Sequence, residues 1–292
     1  MEQGFFPALG TPVNSEGDIC AKSFALQIEA QLEAGASGLL IMGSMGIEPY
    51  IRNRAYQGVA ECGVQAAGGK APVLVGVMDT AIGRVKDRID MLHGLKIDGV
   101  VSTVPYYNVM TQKNVLNFYT ALADYSEFPV YLYDLAIVTK TRIMPETAEQ
   151  LWKHPNIRGI KTGNLETARL LTRNGEKPEQ FDIIYSDLDT FDVAYSYGIR
   201  KNLDGMFACT PKTAKKMYHA LAKGDLEQGT ECLDKIIGLR NLFVETGSVL
   251  GAFTQAMNML GYEGCYAQDY ADYPDEAGQE KVRAFLKEMG EL

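Results

Sequence analysis

Eight short apolar runs, "FFPAL", "GLLIM", "PVLVGV", "GVVST", "PVYLYD", "IRGIK", "FDIIY" and "LDGMFA", alternate with segments of helical spacing along most of the chain. Strand alternating with helix restricts a chain to parallel βα units, and eight is the count that closes a barrel. Phe24, Ile28 and Leu32 recur at helical spacing before Gly35, and Val115, Phe118, Tyr119 and Leu122 do so before "SEFP". Pro145 and Pro211 stand where a first helical turn takes proline, the latter helix closing at Gly224. A doubly wound open sheet is the competing arrangement, but no G-x-G-x-x-G follows the first strand. The expectation is therefore an α/β fold, a (β/α)8 TIM barrel over residues 1–224. Residues 225–292 read as three helical segments with no strand between them, a C-terminal helical extension that packs on the barrel.

Composition removes several function classes. The chain has 292 residues, enough for a sizeable core, and its 37 acidic against 28 basic residues give a formal charge of −9. No basic stripe suits a phosphate backbone, so nucleic acid is not an expected partner. Five cysteines without a C-x-x-C pair read as ordinary thiols of a reducing compartment, with no disulfide framework or zinc site. No signal-like start and no apolar run of about 18 residues appears, so no membrane partner is expected and a cytoplasmic location is.

In a parallel barrel the chemistry collects at the carboxyl ends of the strands. Those ends carry "GSMG", "PYYN", Tyr133 with Asp134, Lys161, and Ser186 with Asp187. His93, His154 and His219 all fall in helical or helix-end segments, which leaves a histidine triad or a histidine-rich metal site without material. One lysine, several hydroxyls and a rim acid suit an amine nucleophile acting on a carbonyl. Only a neutral amine attacks, and at an ordinary lysine pKa of about 10.4 roughly one molecule in 2,500 is neutral at pH 7, so the chemistry calls for apolar surroundings. The bland reading of a lone strand-end lysine is a solvated or salt-bridged charge, and the nearby tyrosines read equally as core or interface aromatics.

"GSMG", "VPYYN", "YLYD" and "GIKTG", in this order and spacing, resemble the dihydrodipicolinate synthase and N-acetylneuraminate lyase family of class I aldolases. The resemblance implies that Lys161 forms a Schiff base with pyruvate or another 2-keto acid and that Tyr133 moves the protons. It implies that Ser44 touches that tyrosine, that Tyr107 reaches into a neighbouring subunit's site, and that the backbone at Ser44 and Met45 holds the keto-acid carboxylate. It further implies no metal or organic cofactor, and a homotetramer built as a dimer of dimers.

The departures bear on the substrate. Met45 stands where the family commonly has a second hydroxyl residue, and Val138 where dihydrodipicolinate synthases carry an arginine for the carboxylate of aspartate semialdehyde; a valine cannot replace a guanidinium. Lys140 and Arg142 lie two and four residues further on. After the seventh strand, Asp187 replaces a glycine of the sialic acid lyases and Asp189 matches an acidic position that binds sugar hydroxyls; either aspartate serves as readily to cap the next helix. Asp187, Asp189, Phe207, Val138 and Met45 are thus the candidate substrate-binding residues. The favoured expectation is cleavage of a 2-keto-3-deoxy sugar acid or sialic-acid-like substrate to pyruvate and an aldehyde. Dihydrodipicolinate synthase or keto-acid dehydratase chemistry, or a non-catalytic binding protein on the same barrel, stand as alternatives.

Overall fold

A computed structural model describes residues 1–292. The strands are β1 (Gly4–Pro7), β2 (Leu39–Ile41), β3 (Val73–Gly76), β4 (Gly99–Thr103), β5 (Val130–Asp134), β6 (Ile157–Thr162), β7 (Asp182–Tyr185) and β8 (Lys201–Asp204). They form one sheet in the order β1-β8-β7-β6-β5-β4-β3-β2, and Ala8, just past β1, bridges Leu40 of β2 in parallel. This is the expected TIM barrel. The helices are α1 (Ala21–Ala34), α2 (Asn53–Ala67), α3 (Ile82–Asp90), α4 (Gln112–Tyr125), the short α5 (Ala136–Thr139), α6 (Pro145–Leu151), α7 (Leu165–Arg173), α8 (Phe191–Ser196), α9 (Pro211–Ala222), α10 (Leu226–Glu245), α11 (Val249–Met259) and α12 (Glu276–Met289).

The residues divide into two compact units, 1–3 with 72–203, and 4–71 with 204–292. The first holds β3 to β7 with their helices. Its strands are buried along nearly their whole length, as parallel strands covered on both faces must be. Thr111 and Asn114 close a reciprocal capping box at the start of α4, and Asn164 caps α7 by accepting from the Thr167 N–H at 2.8 Å.

The second unit holds β1, β2, α1, α2 and α9 to α12, with a core of Phe24, Ile28, Val59, Ile236, Phe243 and Phe253. Here α10 packs on α9, and α11 and α12 pack together. The buried Gln27 amide bonds both the N–H and the C=O of Gly10 at 3.0 Å, satisfying backbone that leaves the sheet after β1.

One strand lies elsewhere than its apolar run suggests. Only Leu203 and Asp204 of "LDGMFA" belong to the eighth strand: β8 is "KNLD", beginning two residues earlier, and Met206–Ala208 form a 3-10 turn. The polar strand is held by an ion pair of Lys201 with Asp182 and by pairing of the fully buried Asn202 with Tyr185. A strand held by one ion pair and by backbone pairing, with the Asn202 amide itself unpartnered, carries no apolar signal.

Candidate active site

The site grows from an irregularity between β5 and β6. Val130 pairs with Ile157, but Tyr131 pairs with Gly159, so the register advances one residue at Arg158. Since side chains alternate faces, that single residue decides which β6 residue stands beside Tyr133, and it is Lys161 rather than Ile160. Gly159 permits the arrangement: a Cβ there would lie 2.8 Å from the Tyr131 ring and 2.6 Å from the Asp182 carbonyl oxygen. Lys161 is only 6% exposed, and its Nζ lies 3.7 Å from the centre of the Tyr133 ring. Thr103 of β4 is the register partner of Tyr133 on the other side, so Thr103, Tyr133 and Lys161 form a row across three strands on one face.

Two groups brace this row. Tyr119 of α4, fully buried, donates its hydroxyl to the Ser102 carbonyl at 2.8 Å and accepts the Tyr133 N–H at 3.4 Å, joining the ends of β4 and β5. Burial pushes its phenol well above the ordinary range. Asp134 joins β5 to β6 by accepting the Thr162 hydroxyl at 2.9 Å, and it closes the loop 135–142 by accepting the Ile143 N–H at 3.0 Å. Burial raises the Asp134 carboxyl against the pull of those two bonds and of Arg142. The sequence marks Asp134 as a strand-end acid and Tyr119 as a helix-face residue, but nothing local marks either as a brace.

After β2, in the other unit, "GSMG" makes a tight turn between two residues in the left-handed region, Met42 (φ 53°) and Ile47 (φ 49°). A β-branched residue there is an outlier that costs about 1–3 kcal/mol. The turn bonds through its carbonyls, Ile47 N–H to Ser44 and Glu48 N–H to Gly43, and the Thr11 hydroxyl pins the Gly46 carbonyl at 2.7 Å. Ser44 is exposed, Met45 half-buried against Gly205, where a Cβ would meet its side chain at 2.8 Å. Fully buried behind the turn is Glu48, an acid that no local sequence signal marks.

The rim candidates divide. Tyr107 is 83% exposed and Val138 50% exposed. Lys140 bonds the Ile137 carbonyl through Nζ at 2.7 Å, and Arg142 donates to the Thr167 hydroxyl at 3.2 Å. Asp187 is engaged by its own turn, accepting from the Thr190 hydroxyl at 2.8 Å and the Asp189 N–H at 3.3 Å, while Asp189 is exposed. The residue at the N-cap of α8 is Thr190, so neither aspartate occupies that position. Phe207, expected at a strand end, lies in the 3-10 turn, wholly buried with its ring edge-on to Phe5 at 5.6 Å. No group of three or more His, Cys, Asp or Glu is arranged to hold a metal ion.

The profile of the dihydrodipicolinate synthetase family matches residues 1–288. A 4-hydroxy-tetrahydrodipicolinate synthase of Methanospirillum hungatei JF-1 is 30% identical over 297 residues, covering 98% of this chain and 99% of its own. Among solved structures, dihydrodipicolinate synthase of Thermotoga maritima superposes with a TM-score of 0.90 at 21% identity, each chain covered completely (100%). The N-acetylneuraminate lyase of Proteus mirabilis superposes with a TM-score of 0.89 at 17% identity, covering 100% of this chain and 99% of that one.

Proposed function

Because the chain belongs to the dihydrodipicolinate synthetase family of pyruvate-dependent carbon–carbon lyases and synthases, we propose that Lys161 is its Schiff-base nucleophile and that the substrate is a 2-keto-3-deoxy sugar acid. The observation that carries the first half is a buried lysine at a strand end with its amine 3.7 Å from the ring centre of a register-partner tyrosine. The amine attacks the keto carbon, and Tyr133 gives its proton to the departing hydroxyl, so that water leaves and an iminium remains. The resulting Tyr133 phenolate takes the proton of the C4 hydroxyl as the C3–C4 bond breaks. The bonding pair enters the iminium as an enamine and the aldehyde departs. Protonation at C3 and addition of water release pyruvate and return the amine. No cofactor enters this sequence. The family resemblance assigns the keto-acid carboxylate to the turn at Ser44 and Met45.

For the substrate, the loop after β5 is the guide. Position 138 is an exposed valine, Lys140 is tied to its own loop, and Arg142 is bonded to Thr167. An anionic aldehyde finds no guanidinium at position 138, whereas the Asp187 and Asp189 carboxylates accept hydrogen bonds from hydroxyls and repel a second carboxylate. The names of relatives such as the Methanospirillum enzyme favour the synthase reaction with aspartate semialdehyde, which is the second reading.

Tyr107, Val109 and Ile137, each more than 70% exposed, suit burial against a second copy, and we assign the chain to a homotetramer, a dimer of dimers. Five free thiols accord with the cytoplasm as its compartment. The test is intact mass after incubation with pyruvate and borohydride, in wild type and Lys161→Ala, followed by an aldehyde screen. A reduced pyruvyl adduct on the Lys161 peptide, absent from the variant, is expected. No adduct in the wild type would remove the Schiff-base mechanism, and turnover with aspartate semialdehyde matching the best sugar aldehyde would remove the substrate assignment.

A further inference from the structure

Thr103 is 3% exposed, and its hydroxyl has no hydrogen-bond partner in the protein. A buried hydroxyl left unsatisfied is costly, and valine has the same shape without that cost. The position is therefore not explained by packing. Its neighbours are informative: Thr103 is the register partner of Tyr133, which is the register partner of Lys161, so the unpaired hydroxyl projects from the face that carries the nucleophile. The preceding Ser102, one residue out of phase, has its hydroxyl satisfied by the Thr103 carbonyl at 2.8 Å, and its carbonyl is taken by Tyr119. On β4 the outward polar group is partnered and the inward one is not.

We propose that Thr103 is a ligand-binding residue of the pocket, its hydroxyl completing its hydrogen bonding with an oxygen of the 2-keto acid joined to Lys161. This rests on the Schiff-base reading and adds a polar contact to it. A hydroxyl both donates and accepts, so it serves the neutral carbinolamine oxygen and the water that leaves or re-enters as the imine forms and hydrolyses. Threonine here sacrifices some stability of the empty protein for a contact made with the ligand, as binding sites commonly do.

The experiment compares full-length wild type, Thr103→Val and Thr103→Ser. It reads the pyruvate concentration for half-maximal borohydride trapping at Lys161 and the melting temperature with and without pyruvate. The valine protein is expected to melt without pyruvate at or above the wild-type temperature, to need about tenfold more pyruvate for trapping, and to lose most of the pyruvate-induced rise in Tm. The serine protein is expected within about twofold of wild type. Valine trapping at the wild-type concentration overturns the proposal while leaving the Schiff base intact. A valine protein that melts several degrees lower without pyruvate also overturns it, because the hydroxyl then has a structural partner. Absence of any adduct in the wild type removes the underlying reading, and this proposal with it.

Discussion

Lys161 and Tyr133 are register partners on adjacent strands, and the amine of the first lies 3.7 Å from the ring centre of the second. In the proposed mechanism the ring and the hydroxyl of Tyr133 have separable tasks, one packing the amine and the other moving protons. Tyr133→Phe keeps the ring. Its turnover is expected to fall by about 100-fold or more, the usual range for loss of a general acid–base group, while Lys161 remains trappable by pyruvate and borohydride. Unchanged turnover would show that the proton relay runs elsewhere.

The pairing depends on Gly159. In Gly159→Ala the new methyl would lie 2.6 Å from the Asp182 carbonyl oxygen and 2.8 Å from the Tyr131 ring, so β5 and β6 must separate or slip. A loss of about 1–3 kcal/mol in urea unfolding is expected from such overpacking, with a fall in turnover larger than the lost stability alone explains. A protein destabilised with full activity per folded molecule would separate the register from the chemistry.

Two buried carboxylates respond oppositely to pH. Burial works to raise Asp79, but its bonds from Arg84 and the Thr80 N–H, together with Arg88, hold it below the ordinary value. Asp134 is raised, chiefly by burial. A depressed native pKa gives stability that is present above the unfolded value of about 3.9 and is lost as pH falls through the native value. A raised one means the native state holds its proton more tightly, so stability is lost as pH climbs from about 4 through the native value. Relative to wild type, Asp79→Asn should become progressively less stable as pH rises through the acid range, and Asp134→Asn progressively more stable from about pH 4 upward. Denaturant unfolding across that range measures both, and slopes of the same sign would contradict the two assignments.

How much of this was readable from sequence follows from the kind of interaction involved. "GVVST" coincides with β4, and Pro145 and Pro211 open α6 and α9, because uninterrupted apolar runs and ring-fixed φ angles are local signals. Lys161 and Tyr133 were visible as strand ends, since polarity at the end of an apolar run is itself a signal. What stayed hidden was relational. The strand "KNLD" owes its place to Asp182 and Tyr185, partners at a distance in sequence, and Asp134 owes its role to Thr162 and Ile143. The unsatisfied Thr103 hydroxyl becomes evident only when every neighbour is known. The turn at Phe207 stayed hidden because a run of apolar residues after a glycine reads alike as strand or as buried turn.

The loops after β4 and β5 are tied together, Met110 N–H to the Thr141 hydroxyl at 3.0 Å and the Gln112 amide to the Arg142 carbonyl at 2.8 Å. These loops carry the exposed apolar side chains Tyr107, Val109 and Ile137, which suit a subunit contact. Val109→Glu with Ile137→Glu should convert the proposed tetramer to a smaller species by light scattering without altering the far-UV spectrum. An unchanged mass would place the subunit contact on another surface.

Val138 offers the most direct handle on substrate choice. Its side chain is half exposed, so an arginine fits there without displacing core residues. Lys140 is bonded to the Ile137 carbonyl, and Arg142 donates one bond to Thr167 while its Nε is buried and unpartnered, so position 138 itself offers a carboxylate-bearing aldehyde no guanidinium. A bidentate arginine–carboxylate pair supplies one, and charge-assisted hydrogen bonds contribute about 1.5–3 kcal/mol, roughly 10- to 150-fold in specificity. Val138→Arg should therefore raise kcat/KM for aspartate semialdehyde relative to a neutral polyhydroxy aldehyde by at least about tenfold, read as the ratio of the two in one preparation. The pyruvate half-reaction should be unaffected, since trapping at Lys161 precedes the aldehyde. A ratio unmoved by the arginine would mean that position 138 does not face the aldehyde, and the distinction between sugar-acid lyase and synthase would then rest on Asp187 and Asp189 alone.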